Sequence, residues 1–115
     1  SSTSPEIVSK IKKLIKGQKK VMVFLDSNHT YEHVKNEINI YKDFVTKGSY
    51  MVVEDTFSEF FPKGYYSNRP WDVGNNPMIS LREFLKKNKN FKIDKEICSK
   101  LQITETFDGY LKKIK

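Results

Sequence analysis

Two apolar runs, VMVFL at residues 21–25 and the strand-like SYMVVED at 49–55, each lead straight into acid, and the stretch between them carries helical spacing. A run that is continuously apolar, not alternating, is the pattern of a strand covered on both faces in a parallel sheet. Between the runs, Asn28 to Thr30 can start a helix, Val34, Ile38, Tyr41 and Val45 recur on one face, and Gly48 lies beyond its end. Two strands joined by a helix of this length form a parallel crossover unit, which commits the chain to an α/β fold.

The remaining segments extend that unit. Ser4, Pro5 and Glu6 form a helix start, with Pro at the first helical position, and Ile7, Val8, Ile11, Leu14 and Ile15 recur on one face as far as Gly17. Residues 56–76 hold two Pro, two Gly and no sustained period, so a long loop is expected, rich in aromatics and equally able to cover the core or a substrate. Asn76 and Pro77 open a third helix with Met78, Leu81 and Leu85 inward. FKIDKEI alternates as a half-buried strand, Cys98 to Ile103 is irregular, and TFDGYLKKI supplies a last strand. The expectation is a single domain over residues 1–115, an α/β sandwich ending in an antiparallel hairpin.

Composition removes several classes of function. No apolar run approaches membrane-spanning length, and residues 1–20 read as a polar cap followed by an amphipathic helix instead of a secretory signal, so a soluble, cytoplasmic protein without membrane partners is expected. The single cysteine, Cys98, rules out an intrachain disulfide and a cysteine-rich zinc site, and reads as a small core residue of a late strand. The net charge of +7 invites nucleic acid, but the charge comes from lysines scattered over helix faces and both ends, with Arg69 and Arg82 the only arginines. No basic stripe with interleaved aromatics forms, so no nucleic-acid partner is expected.

What remains is the acids. Ligands of open parallel sheets bind outside the carboxyl ends of the strands. Asp26 and the pair Glu54 and Asp55 stand at such ends, on neighbouring strands about 4.8 Å apart. Carboxylates that close repel one another unless a cation, raised pKa values or divergent side chains relieve them. A hard divalent ion such as Mg²⁺ (or Mn²⁺) is one solution, and turn-capping acids in a non-enzymatic basic binding module are the other. Consecutive strand residues point to opposite faces, so Glu54 and Asp55 converge only if the chain turns between them. His29, close behind Asp26, is a candidate general base or orienting group and equally a plain residue at a helix start, while His33 reads as surface.

The stretch from VMVFLDSNHTYEHV through GSYMVVEDT resembles the cephalosporin hydroxylase and rhamnosyl O-methyltransferase family, in which a strand ends in Asp-Ser-x-His and a later one in Glu-Asp-Thr. NNPMISLREFL and TFDGYLKKI are similar to that family's closing helix and final strand. The resemblance implies the class I S-adenosylmethionine-dependent methyltransferase fold: a three-layer Rossmann-like arrangement whose strands are parallel except the last, antiparallel one. It implies Asp26, Glu54 and Asp55 as magnesium ligands, His29 and Asp26 as catalytic residues, and a small hydroxylated acceptor, a sugar or natural product. S-adenosylmethionine is the methyl donor it implies for the full-length enzyme.

The family's Gly-rich turn and ribose-binding acid have no counterpart among these residues. The chain therefore resembles the C-terminal half of such a fold, inactive alone and without affinity for S-adenosylmethionine. Hydroxylation finds no support, because His29 and His33 do not make an iron-type facial set with one carboxylate. In the family's strand order the 21–25 run is central, so in these residues alone it becomes an apolar edge, and a homo-oligomer through 21–25 is expected.

Overall fold

The computed structural model describes all 115 residues. Ser4 accepts a hydrogen bond from the Ile7 backbone N–H and Pro5 takes the first helical position, giving helix α1, Pro5–Leu14. The first apolar run forms strand β1, Val23–Leu25, and helix α2, Tyr31–Tyr41, returns the chain to strand β2, Tyr50–Val53. A 3₁₀ turn, Thr56–Phe60, opens the long loop. Helix α3, Pro77–Lys87, begins where the Asn76 side chain accepts from the Met78 N–H at 3.1 Å. Strand β3 is Phe91–Ile93, helix α4 is Lys95–Leu101 and strand β4 is Tyr110–Lys113.

The four strands lie in the order β1-β2-β4-β3. β1 and β2 are parallel, with Val23 opposite Met51 and Leu25 opposite Val53. β4 is antiparallel to both β2 and β3, so the first three strands point one way and the last runs against them. This mixed sheet, with its inserted antiparallel last strand, agrees with a methyltransferase-like α/β fold.

One face of the sheet holds the core. Leu25, Met51, Val53, Leu111 and Phe91 project toward Val34, Ile38 and Tyr41 of α2 and Met78, Leu81 and Phe84 of α3, all buried. Val45, expected on the helix face, is buried just beyond the end of α2. The other face is open at Phe24, Lys92 and Lys112, so the covering of β1 on both faces, read from its continuous apolar run, does not occur here. Phe24 is 57% exposed and Met22 51%. No residue of α1 is buried, although Ile11 packs against the core from its rim.

The expected closing hairpin is also corrected. β3 and β4 pair antiparallel, but α4 separates them, and the FKIDKEI strand stops after Ile93. Asp94 is the reason: its carboxylate accepts from the Glu96 N–H at 3.2 Å and caps a helix that the two-residue alternation conceals. Its other oxygen accepts from the Tyr50 hydroxyl at 2.6 Å, tying the cap to β2. Cys98 consequently lies half-buried on α4, not in a strand.

Gly109 sets where β4 can begin. A Cβ there would collide with the Val53 carbonyl oxygen, and the close approach lets the Val53 N–H donate to the Gly109 carbonyl at 2.9 Å. That contact holds the chain hard against the end of β2, where the acids emerge.

Candidate metal and acceptor site

Asp26 follows β1 directly, and Glu54 and Asp55 follow β2. The pleat alone would send Glu54 and Asp55 to opposite faces. The backbone turns instead at Asp55, which takes the left-handed conformation at φ 54°. Aspartate is among the few residues that tolerate this region. The turn is fixed from behind, because the Asp55 carbonyl accepts both the Ser58 N–H (3.1 Å) and the Ser58 hydroxyl.

The result is a convergence on one imidazole. His29 Nε2 lies 3.4 Å from Asp26 Oδ1 and 3.3 Å from Asp55 Oδ2, and one ligand atom from each of the three residues falls within 4.8 Å of the others. Asp26 is exposed, while His29 and Asp55 are half-buried, so the cluster opens to solvent on the Asp26 side. Neither carboxylate caps a turn or helix. Thr30 is the N-cap of α2, Asn28 accepts the Thr30 N–H at 2.9 Å, and the carboxylates of Asp26 and Asp55 pair with His29.

Glu54 stands apart from this group. Its carboxylate accepts a hydrogen bond from the buried Thr106 hydroxyl in the segment leading to β4. Of the residues singled out from sequence, the structure thus brings together Asp26, His29 and Asp55, with Glu54 adjacent in the chain but bonded elsewhere.

The loop 56–76 returns over the cluster. Glu59 accepts from the Gly74 N–H (2.9 Å) and from the Asn76 amide, closing the loop on itself. Asn75 Oδ1 accepts the Tyr31 N–H at 2.9 Å, one of the donors that the first turn of α2 leaves free. These ties set the Trp71 indole against His29, ring centroids 4.7 Å apart. From Trp71 an unbroken series of rings runs back through Tyr66, Phe61, Phe57 and Phe60 to Phe107. Burial raises the Tyr66 phenol above its ordinary range, with the charges of Asp55 and Glu105 adding to the effect and a Ser58 hydrogen bond opposing it.

His33, expected at the surface, is half-buried in a second polar group. Its Nε2 lies 3.0 Å from Ser27 Oγ and 3.5 Å from Glu37 Oε1. Glu37 is 2% exposed and also accepts from Ser2 (2.6 Å) and Ser27 (2.8 Å), while its Oε2 has no partner. The i, i+4 spacing of His33 and Glu37 was the available signal. It ties residues 1–4 and the turn after β1 to one face of α2.

A family model described as rhamnosyl O-methyltransferase/CmcI matches residues 1–114. The chain belongs to this family. No curated protein and no solved structure gives a match. Membership makes this an O-methyltransferase-type domain and implies S-adenosylmethionine as methyl donor.

The two groups that the family reading implies fare differently against the residues present. The two carboxylate oxygens, close together beside the His29 imidazole and open on one side, suit a hard divalent ion that keeps water positions for a substrate. A methyl-donor cradle of the Gly-rich kind is not built by this chain. Its five glycines nowhere form a closely spaced Gly-rich turn that joins a strand directly to a helix: Gly17 follows α1, Gly48 precedes β2, Gly64 and Gly74 stand apart in the long loop between β2 and α3, and Gly109 precedes β4. No helix is long and apolar enough to cross a membrane.

Proposed function

We propose that this chain forms the metal- and acceptor-binding part of a Mg²⁺-dependent O-methyltransferase acting on a small hydroxylated molecule, a sugar or natural product. The observation that carries this reading is the meeting of Asp26 and Asp55 at His29. Acids that served only as turn caps would bond to backbone N–H groups, and these two do not, which weighs against the non-enzymatic binding module. A divalent cation held by Asp26 and Asp55 would supply positive charge that favours the ionised form of an acceptor hydroxyl. His29 Nε2 is the atom placed to hold or take the hydroxyl proton. Trp71, set against that ring, shields the site from water on its side, and the aromatic loop is its lid.

Mn²⁺ titration followed by water-proton relaxation tests the metal site. Asp26→Asn and Asp55→Asn are expected to weaken binding at least about tenfold, in keeping with the cost of disturbing a metal's supporting groups. Glu54→Gln is expected to cost less, since its carboxylate is engaged by Thr106. Equal binding by the unmodified chain and both Asp variants sinks the reading.

As to partners, we propose that copies of the chain associate through the outer edge of β1. Leu25 and Val21 direct their carbonyls to Glu54 and Thr46 on the β2 side. Strand alternation then turns the backbone groups of Met22 and Phe24 outward, beside their exposed side chains.

A further inference from the structure

An open groove of about 340 Å³ runs along the outer edge of β1, walled by Ile11, Ile15, Met22 and Phe24. It ends at Asp26, the exposed member of the metal cluster, and at Glu37, whose Oε2 is buried without a hydrogen-bond partner. Resting on the metal-site and edge-pairing readings above, we propose that a second copy of the chain occupies this groove and sets its Lys20 ammonium on Asp26, so that self-association and divalent-ion binding exclude one another.

The strand itself fixes the register. Leu25 and Val21 are bonded toward β2, so the backbone groups of Met22 and Phe24 point outward, and the same alternation turns those of Lys20 and Asp26 outward with them. In an antiparallel pair, two residues that exchange both backbone hydrogen bonds stand directly opposite one another. A two-fold pair centred on Val23 therefore sets Met22 against Phe24 and Lys20 against Asp26, each of them twice. Centring on Phe24 would put Met22 opposite Asp26, and centring on Met22 would put Lys20 opposite Phe24, so both leave the charges unpaired. Charge complementarity selects the Val23 register.

Directly opposite side chains share a face, with Cβ atoms about 5 Å apart. The exposed Met22 and Phe24 then cover each other across the two-fold axis. Lys20 is exposed, and within one chain it lies about 20 Å from Asp26, at roughly 3.3 Å per residue, so a second copy is needed to bring the two together. At Asp26 the neighbouring group is His29 Nε2, 3.4 Å away. An ammonium there supplies the positive charge that crowded acids require and takes the oxygen that a divalent ion would use. The lysines of α1 still repel one another, so the two ion pairs fix the register more than they add strength.

Sedimentation velocity of the full chain at tens of micromolar tests the pairing. Lys20→Asp and Asp26→Lys, both at exposed positions, place like charges opposite one another and are each expected to weaken self-association at least about fivefold. Mixed in equal amounts, the two variants form complementary pairs and are expected to associate within about twofold of the unmodified chain. Millimolar Mg²⁺, compared with NaCl at matched ionic strength, is expected to raise the dimer dissociation constant of the unmodified chain at least about threefold. Single variants that dimerise like the unmodified chain, a mixture that stays monomeric, or a dimer indifferent to Mg²⁺ in a chain that binds Mn²⁺ overturns the proposal. The readings beneath it fail differently. An unmodified chain that forms no dimer refutes edge pairing and this proposal together, whereas a dimer that obeys the charge exchange in a chain that binds no Mn²⁺ refutes the metal site and supports the Lys20 pairing.

Discussion

The indole of Trp71 rests on the imidazole of His29 at a 50° interplanar angle, with ring centroids 4.7 Å apart. The loop therefore closes on the one side chain that both strand-end acids touch. Trp71 is the chain's only tryptophan, so its emission reports on the cluster directly. Mn²⁺ is expected to quench that emission saturably, and Asp55→Asn to remove the saturable phase. Trp71→Leu is expected to keep Mn²⁺ affinity within about threefold, because an indole N–H donates and offers no lone pair to a cation. Loss of metal binding in Trp71→Leu would show that the loop builds the site and does not merely cover it.

Gly109 makes a prediction about the frame beneath the site. A methyl group there would strike the Val53 carbonyl oxygen and the Thr106 side chain, both fixed in the core. Gly109→Ala is expected to destabilise the chain by about 1–3 kcal/mol, the usual cost of overpacking. Urea unfolding measures it, and an unchanged midpoint would mean that β4 can shift away from β2 without loss.

Glu83 contributes to stability on the acid side. The Lys87 hydrogen bond, then that of Tyr31, and then the charge of Lys35 hold its carboxyl at about 2 against an ordinary 4.5, with desolvation opposing. A folded value below the unfolded one means that the stabilisation is present above 4.5 and is lost as pH falls from about 4.5 to about 2. The unfolding midpoint should drop across that window, and Glu83→Gln should flatten the drop. An identical pH profile for the variant would assign acid sensitivity to other groups.

The parallel strands, their connecting helix and the acids at their ends were legible because a continuous apolar run, a helical period and a strand terminus are local signals. Which acids converge was not. Asp55 joins Asp26 only through a left-handed turn, and Glu54 turns to Thr106, more than fifty residues later in the chain. His33 looked like surface because its partners Ser2 and Ser27 come from other segments. α4 was hidden by the alternation of FKIDKEI, although Asp94 followed by Lys and Glu carried a capping signal that the strand pattern outweighed.

The glycine pattern leads to a negative expectation. With no closely spaced glycines in a short strand-to-helix turn, these 115 residues are expected not to bind S-adenosylmethionine at micromolar concentrations and not to transfer methyl groups. Equilibrium dialysis with labelled S-adenosylmethionine is the check, and saturable micromolar retention would refute it.

The last prediction concerns the edge of the sheet. β1 is first in the strand order and carries Phe24 exposed on its open face, with Met22 exposed just before it, while Val23 and Leu25 face the core. A second copy can add its own β1 antiparallel to this edge, the simplest two-fold arrangement. The helix beside it opposes the approach, since Lys10, Lys12 and Lys13 of α1 and Lys16 just after it put like charge near the contact. Association is therefore expected to be weak, with a dissociation constant on the order of 10 μM or about −7 kcal/mol, and to strengthen as salt screens the lysines. Phe24→Lys is the informative variant. It sets a charge on the edge without entering the core, whereas Val23→Lys would threaten the fold itself. Sedimentation velocity at rising concentration should show a dimer for the unmodified chain and a monomer for Phe24→Lys, with the two unfolding at closely similar urea concentrations. A chain that stays monomeric to about 100 μM in high salt, roughly tenfold above the expected constant, would exclude pairing through this edge.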